Sequence, residues 1–234
     1  MKSILQVDKV SKSFSNNNIL KDISFTIEKG ECYCLVGKNG SGKSTLINII
    51  IDFLNPDGGE ISFLNESFFQ NREMAGVLPE MNPLLEEFRL IDFLEYVGTI
   101  YKVPKGKLHQ RINFLIDLFF DDQEVEGKLL KEFSKGMRLK AGIVAAVLHE
   151  PTLLILDEPF DGLDLASCNI LVSFLDEFIR SGNSVLLASH NIVYCEKIAT
   201  HVLMLREGYV EIVEKEEILK EQNDFINYLS NKMV

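Results

Sequence analysis

Hydrophobic and polar positions change their period three times along this chain. Near the N-terminus they alternate: ILQVDKV, the turn cluster SNNN, ISFTI, then the glycine turn KGE. Period 2 predicts short strands with one face buried. YCLVG, at 33–37, is instead a continuous apolar run ending on glycine, which predicts a strand covered on both faces. A helix is expected from Ser44 to Leu54, broken by NPDGG at 55–59, with EISFLN as the next strand. From about Pro79 to Pro151 the spacing shifts to three and four, in LIDFLEYVGTIY and INFLIDLFF, which predicts helices separated by the turn KVPKGK. The acidic run DDQEVEG, at 121–127, reads as a solvated connection. After Pro151 two strands return, TLLILDEP and NSVLLASH, with a helix through Leu175 and Phe178 between them. The final VEKEEILKEQNDFINYLSNK predicts one or two amphipathic helices. The pattern as a whole is an α/β core with a helical insertion near 80–150.

Composition narrows this. The 234 residues suffice for a sizeable buried core. With 46% hydrophobic and 25% charged residues the chain is not disordered by composition. The formal net charge of −11 argues against a nucleic-acid surface, which needs clustered Lys and Arg. Cys32 and Cys34 stand one residue apart in an apolar strand and read as core residues rather than a metal or redox pair; Cys168 and Cys195 stand far from them in sequence. A reduced, intracellular setting is expected. MKSILQVDKV lacks a secretory apolar region, and no apolar run approaches the roughly 18 residues of a membrane helix.

The chemistry begins at residues 37–45, GKNGSGKST, which fit G-x-x-x-x-G-K-[ST] between a buried strand and a helix. Gly37, Gly40 and Gly42, with Lys38, Asn39 and Ser41 between them, let the backbone curl until successive N–H groups face one centre. The following helix points its partly positive end at that centre. Lys43 brings a charge to the β- and γ-phosphates, Ser44 a hydroxyl to Mg²⁺, and Thr45 a bond on the α-phosphate side. Alone, this loop says only that phosphates bind.

LLILDEP ends a buried strand on two carboxylates, at the edge where open α/β sheets bind ligands. Asp157 is expected to hold Mg²⁺ and Glu158 to act as general base on the attacking water. His190 ends a second such strand, within expected reach of the γ-phosphate. His109, His149 and His201 sit in no motif and read as surface or packing residues.

With these residues in place, the chain resembles the nucleotide-binding subunits of ATP-binding cassette (ABC) transporters, from VDKVSKSF to the strand ending at Leu205. FSKGM, at 133–137, is similar to the family signature Leu-Ser-Gly-Gly-Gln: Ser134 and Gly136 match, whereas Phe133, Lys135 and Met137 depart. Ser134 is also a good N-cap for the helix through Leu148, whose N-terminus can receive an anion. The resemblance implies a P-loop NTPase core with a mixed, mainly parallel sheet, an N-terminal antiparallel β subdomain and a helical subdomain insertion. It implies one ABC ATPase domain over 1–234, with 1–79 and 151–213 as core and β subdomain, 80–150 helical, and 214–234 a helical tail.

The resemblance further implies ATP hydrolysis coupled to transport. Two ATPase subunits, identical or closely related, would pair head to tail with each ATP between one phosphate loop and the partner's signature. Phe14 matches the aromatic that stacks on adenine. DGLD, at 161–164, looks like the loop crossing between sites, with Asp161 where Ser or Thr is usual. Glu80 stands where many members carry a Gln that contacts Mg²⁺ or its water, and Lys140 where an Arg is common. The pair Pro79–Glu80 together with Ser-Lys-Gly-Met resembles the bacterial ABC-2-type exporter branch, whose multi-span permease is a separate chain. NPLLEEFRLIDFL lies where that permease docks; Leu84, Leu85 and Phe88 fit either that contact or helix packing. The implied place is cytoplasmic, at the inner face of the membrane through the permease. The alternative is a non-transport cassette ATPase acting as a mechanical signaller on a membrane or macromolecular partner.

Overall fold

The computed structural model describes residues 3–15, 17–120, 125, 127–222 and 224–233. The period-2 segments pair as expected. Strand β1 (Ser3–Phe14) runs antiparallel to β2 (Asn17–Glu28) on one edge and to β4 (Gly58–Phe63) on the other. The continuous apolar run becomes β3 (Cys32–Val36), in the middle of a six-stranded sheet. Its order is β5-β6-β7-β3-β8-β9, with β5 at Ala75–Leu78, β6 at Leu153–Asp157, β7 at Ser184–Ala188, β8 at His201–Arg206 and β9 at Tyr209–Glu214. All neighbours are parallel except the β8–β9 hairpin. The chain is therefore α/β with one mixed, mainly parallel sheet and one antiparallel sheet.

Both faces of the large sheet are covered at its central strands β3, β6 and β7, which is why these carry no polar alternation. Cys32, Cys34 and Val36 pack with Leu154, Leu156, Val185 and Leu187 into a core shared with the helical segment. Tyr33 and Leu35 face the other way, with Leu153, Ile155 and Leu186, into a core shared with the antiparallel sheet. All four cysteines are free and buried, and burial pushes the Cys34 thiol well above its usual value. Cys32 and Cys34 are core residues, as their apolar context predicts, and Cys168 and Cys195 join the same core.

Eight α-helices complete the described fold: α1 (Lys43–Ile50), α2 (Leu90–Ile100), α3 (Lys105–Phe119), α4 (Lys135–Val147), α5 (Leu165–Arg180), α6 (Ile192–Ile198), α7 (Lys215–Gln222) and α8 (Phe225–Met233). Helix α1 stops four residues before the expected Leu54. Asp52 takes a φ of 63°, and the N–H groups of Phe53 and Leu54 both fold back on the Asn48 carbonyl at 2.9 Å. The apolar spacing at 79–89 belongs to a packed loop, in which Leu84 is buried and Leu85 exposed. Lys105–Lys107 of the expected turn form the first turn of α3. The acidic run at 121–127 lies mostly outside the described residues. The tail forms two helices, and Ile218, Phe225 and Leu229 bury their side chains in the core.

Candidate active site

The loop at 37–45 joins the C-terminal end of β3 to α1. Gly42 closes it in the left-handed region at φ 108°, where a Cβ would sit 2.8 Å from Ile19 Cγ2; a side chain there would be both strained and crowded. No side chain caps α1, so its first N–H groups remain for an outside acceptor. Lys43 is only 6% exposed. Its Nζ donates to the Gly37 carbonyl at 3.0 Å and lies 3.8 Å from Glu158 Oε1. One ammonium thus ties the loop to the end of β6.

Two carboxylates end β6 in different surroundings. Asp157, 3% exposed, is on the strand face that α1 covers, beside Ser44, and its Oδ1 has no hydrogen-bond partner. Burial pushes its carboxyl up to about 6; the Ser44 hydroxyl lowers it, the charges of Glu80 and Glu158 raise it, and Lys43 lowers it. The Ser44 hydroxyl also donates to Glu80 Oε2 at 3.2 Å. Glu158 has turned off the strand at φ 50°, with its N–H bonded to the Ala188 carbonyl at 2.8 Å. A non-glycine residue in this region is uncommon and worth a functional question. The turn carries the carboxylate to His190, whose backbone N–H and Nδ1 donate to Glu158 Oε2 at 3.2 and 2.9 Å. An acceptor carboxylate requires the proton on Nδ1, which leaves Nε2 as the ring's remaining hydrogen-bonding atom.

Phe14, Asn39, Gly40, Gly42, Lys43, Ser44, Thr45, Glu80, Glu158 and His190 line one cavity of about 520 Å³. Ten of the sequence-predicted residues therefore meet there. Volume does not single this cavity out, since a cleft of about 560 Å³ lies behind the loop, against Gly37, Lys38, Ser41 and the β8–β9 hairpin. Its chemistry does: a lysine, three carboxylates (Glu80, Glu158 and Asp161), a histidine and an uncapped helix end converge beside a half-exposed phenyl ring. Asp157 opens instead on an adjoining cavity that shares Glu80 and Glu158.

Ser134 and Gly136 do not line the cavity of the phosphate loop. Ser134 caps α4, its Oγ accepting the Met137 N–H at 3.2 Å. A Cβ on Gly136 would lie 2.8 Å from the Gly162 carbonyl oxygen, so the signature segment and the loop after Glu158 meet backbone to backbone. Two residues were not singled out for this region from sequence. Ile19 lines the cavity. Asn82 Nδ2 donates to the Arg138 carbonyl at 2.7 Å, joining the Glu80 segment to α4. Proximity to Glu80 was the one available signal for Asn82; nothing local marks Ile19.

The sequence profile described as ABC transporter matches residues 20–161. The chain is 33% identical over 224 residues to the ABC-type transporter ATP-binding protein EcsA of Bacillus subtilis (strain 168), covering 94% of this chain and 90% of that protein. The chain belongs to the ABC transporter family. It is an ATP-binding, ATP-hydrolysing subunit of a transporter complex. The fold is similar to a solved structure of an ATP-binding subunit of an ABC transporter, with 29% identity and a TM-score of 0.89, and 98% of this chain and 99% of that one covered. The Nod factor export ATP-binding protein I of Cupriavidus pinatubonensis (strain JMP 134 / LMG 1197) is 26% identical, over 88% of this chain and 64% of its own length. No helix among the described residues of this ABC subunit is long and apolar enough to cross a membrane.

Proposed function

We propose that this subunit is the ATP-driven motor of an exporter, pairing on ATP and reopening after hydrolysis. The observation that carries the reading is the convergence of Lys43, Glu158 and His190 on one cavity over the uncapped end of α1. The backbone of Gly37–Thr45 and the Lys43 ammonium hold the phosphates. Phe14 stacks on adenine through its exposed π-face. Glu158 takes the proton of the attacking water, oriented by its two bonds from His190, and His190 also reaches the γ-phosphate.

Ser44, Glu80 and Asp157 would hold Mg²⁺. The donor set fits a hard cation: all three offer oxygen, and the buried, unpartnered Oδ1 of Asp157 is a polar atom in need of one. No cluster of three ligating His, Cys, Asp or Glu side chains occurs among the described residues. That suits an ion taking the rest of its shell from phosphate and water. When bound, Mg²⁺ neutralises charge on the β- and γ-phosphate oxygens.

Ser134 and Gly136 serve the partner's ATP; their absence from this chain's own cavity supports that reading. The partner is a second copy or a close relative. A separate multi-span permease carries the cargo, and the exposed apolar side chains of Met81, Leu85 and Ile91 support docking there. The subunit then works at the cytoplasmic face, held by that permease, with no role for nucleic acid. Export is favoured by Pro79–Glu80 with FSKGM, and by the relative named for Nod factor export. In this scheme 80–150 is the helical subdomain that moves against the core at 1–79 and 151–213, with 214–234 as its tail.

The test is Glu158→Gln. ATP binding is retained, phosphate release falls about 10²- to 10⁴-fold, and a dimer accumulates with ATP in light scattering. Full turnover removes Glu158 as the base. A variant that stays monomeric at saturating ATP removes the pairing.

A further inference from the structure

We infer that Lys135 is a positioning residue for the nucleotide, acting through Asp161: it neutralises a carboxylate that lines the phosphate cavity and so sets how strongly ATP is held. The inference rests on that cavity being the ATP site. Asp161 lines both the cavity with Lys43 and the adjoining one with Asp157 and Glu80. Four carboxylates, Glu80, Asp157, Glu158 and Asp161, therefore surround the place where a polyanion has to sit.

Their compensation is divided among neighbours. Lys43 and His190 meet the two oxygens of Glu158, and the Ser44 hydroxyl meets Glu80. Arg138 is bonded to Glu86 at 2.6 Å. Asp161 receives Lys135, Nζ to Oδ2 at 3.0 Å. Helix stability does not account for a lysine at this position. Lys135 opens α4, where a positive charge opposes the helix dipole. The backbone holds the pair in register, through the Asp161 N–H on the Glu158 carbonyl at 3.1 Å and the close approach of Gly136 to Gly162.

Both side chains are largely exposed, 73% and 55%, so the pair adds little to stability and its field is screened by salt. Its effect is local. With Lys135 present, the incoming phosphates meet a neutral pair; without it, they meet a bare carboxylate.

The experiment is a fluorescence titration of the full chain with an ATP analogue and Mg²⁺ at low ionic strength. Lys135→Ala raises the dissociation constant by about three- to tenfold. Asp161→Asn alone lowers it. The double variant returns to within about twofold of the parent, as one carboxylate charge removed should allow. Lys135→Arg binds like the parent, and the Lys135→Ala defect fades towards about 1 M salt. In steady state, KM carries the change and kcat does not. An unaltered Lys135→Ala overturns the inference. So does a loss that Asp161→Asn fails to reverse, which would make Lys135 a direct phosphate contact or a structural residue. Lys43→Ala, titrated alongside, separates the two readings: retained binding there condemns the cavity as the phosphate site, and this inference with it.

Discussion

Two helices in this chain begin where the sequence expects an anion, and they begin differently. Helix α1 follows Gly42, whose left-handed backbone offers no capping side chain. Helix α4 follows Ser134, which already accepts the Met137 N–H. Around the first stand Lys43, Glu158 and His190 of the same chain; the first turn of the second borders a cavity that Glu158 also lines, but that neither Lys43 nor His190 does. An uncapped helix end beside a lysine, a carboxylate and a histidine is, on the proposed reading, one wall of a reaction site. A capped end that lacks the lysine and the histidine can only add donors to an anion brought by something else. On the proposed reading, the contrast explains why a single copy would contain both family motifs and yet only part of a site.

The contrast can be broken at several points, and the largest effect is expected at α1. Lys43→Ala should weaken ATP by at least about 100-fold in calorimetry, since a desolvated cation on phosphate accounts for several kcal/mol. Unchanged affinity would erase the distinction between the two ends. Asp157→Asn tests the charge stored beneath α1. Burial first, then Glu80 and Glu158, leave the folded-state carboxyl near 6, against the bond from Ser44 and the charge of Lys43. The folded chain thus binds this proton more tightly than the unfolded chain, and the group's contribution to stability is lost as pH rises from about 4 to about 6. In chelator at pH about 7.5 the variant should unfold later by roughly 1–3 kcal/mol, with no gain below pH about 4. A variant destabilised at both pH values would show that Asp157 is paired rather than waiting for an ion.

Smaller effects are expected at α4. Gly136→Ala drives a methyl into the Gly162 carbonyl and should cost about 1–2 kcal/mol in chemical denaturation. A neutral result would mean the two backbones part freely. Ser134→Ala removes the cap and should cost about 1 kcal/mol of stability. Its effect on ATP affinity in a dilute single subunit should be nil, read in the same titration as Lys43→Ala. A drop there would place Ser134 on its own chain's nucleotide.

The legible parts of the fold were those decided by burial or by short loops. β3 and β6 read as strands because apolar residues on both faces leave no other place for them. The phosphate loop read clearly because its geometry is completed within nine residues. β5 and α6 are too short for periodicity to separate from their flanks. The packed loop at 79–89 mimics helical spacing because Leu84 is buried without a helix to bury it. At the site, Glu158 and His190 could each be placed at a strand end. Their bond depends on the parallel register of β6 with β7, Asp157 opposite Ala188, and on the left-handed turn at Glu158. The Lys135–Asp161 pair spans 26 residues and two loops, and no local pattern announces it.

The bond from Asn82 to the Arg138 carbonyl works like a tie rod. One end is fastened two residues from Glu80, in the segment that also displays Met81 and Leu85 on the surface. The other is fastened to the backbone of α4, one turn beyond its cap. A pull on Glu80 is therefore not left to the loop backbone alone: the same hydrogen bond joins its segment, and with it Met81 and Leu85, to the backbone of α4.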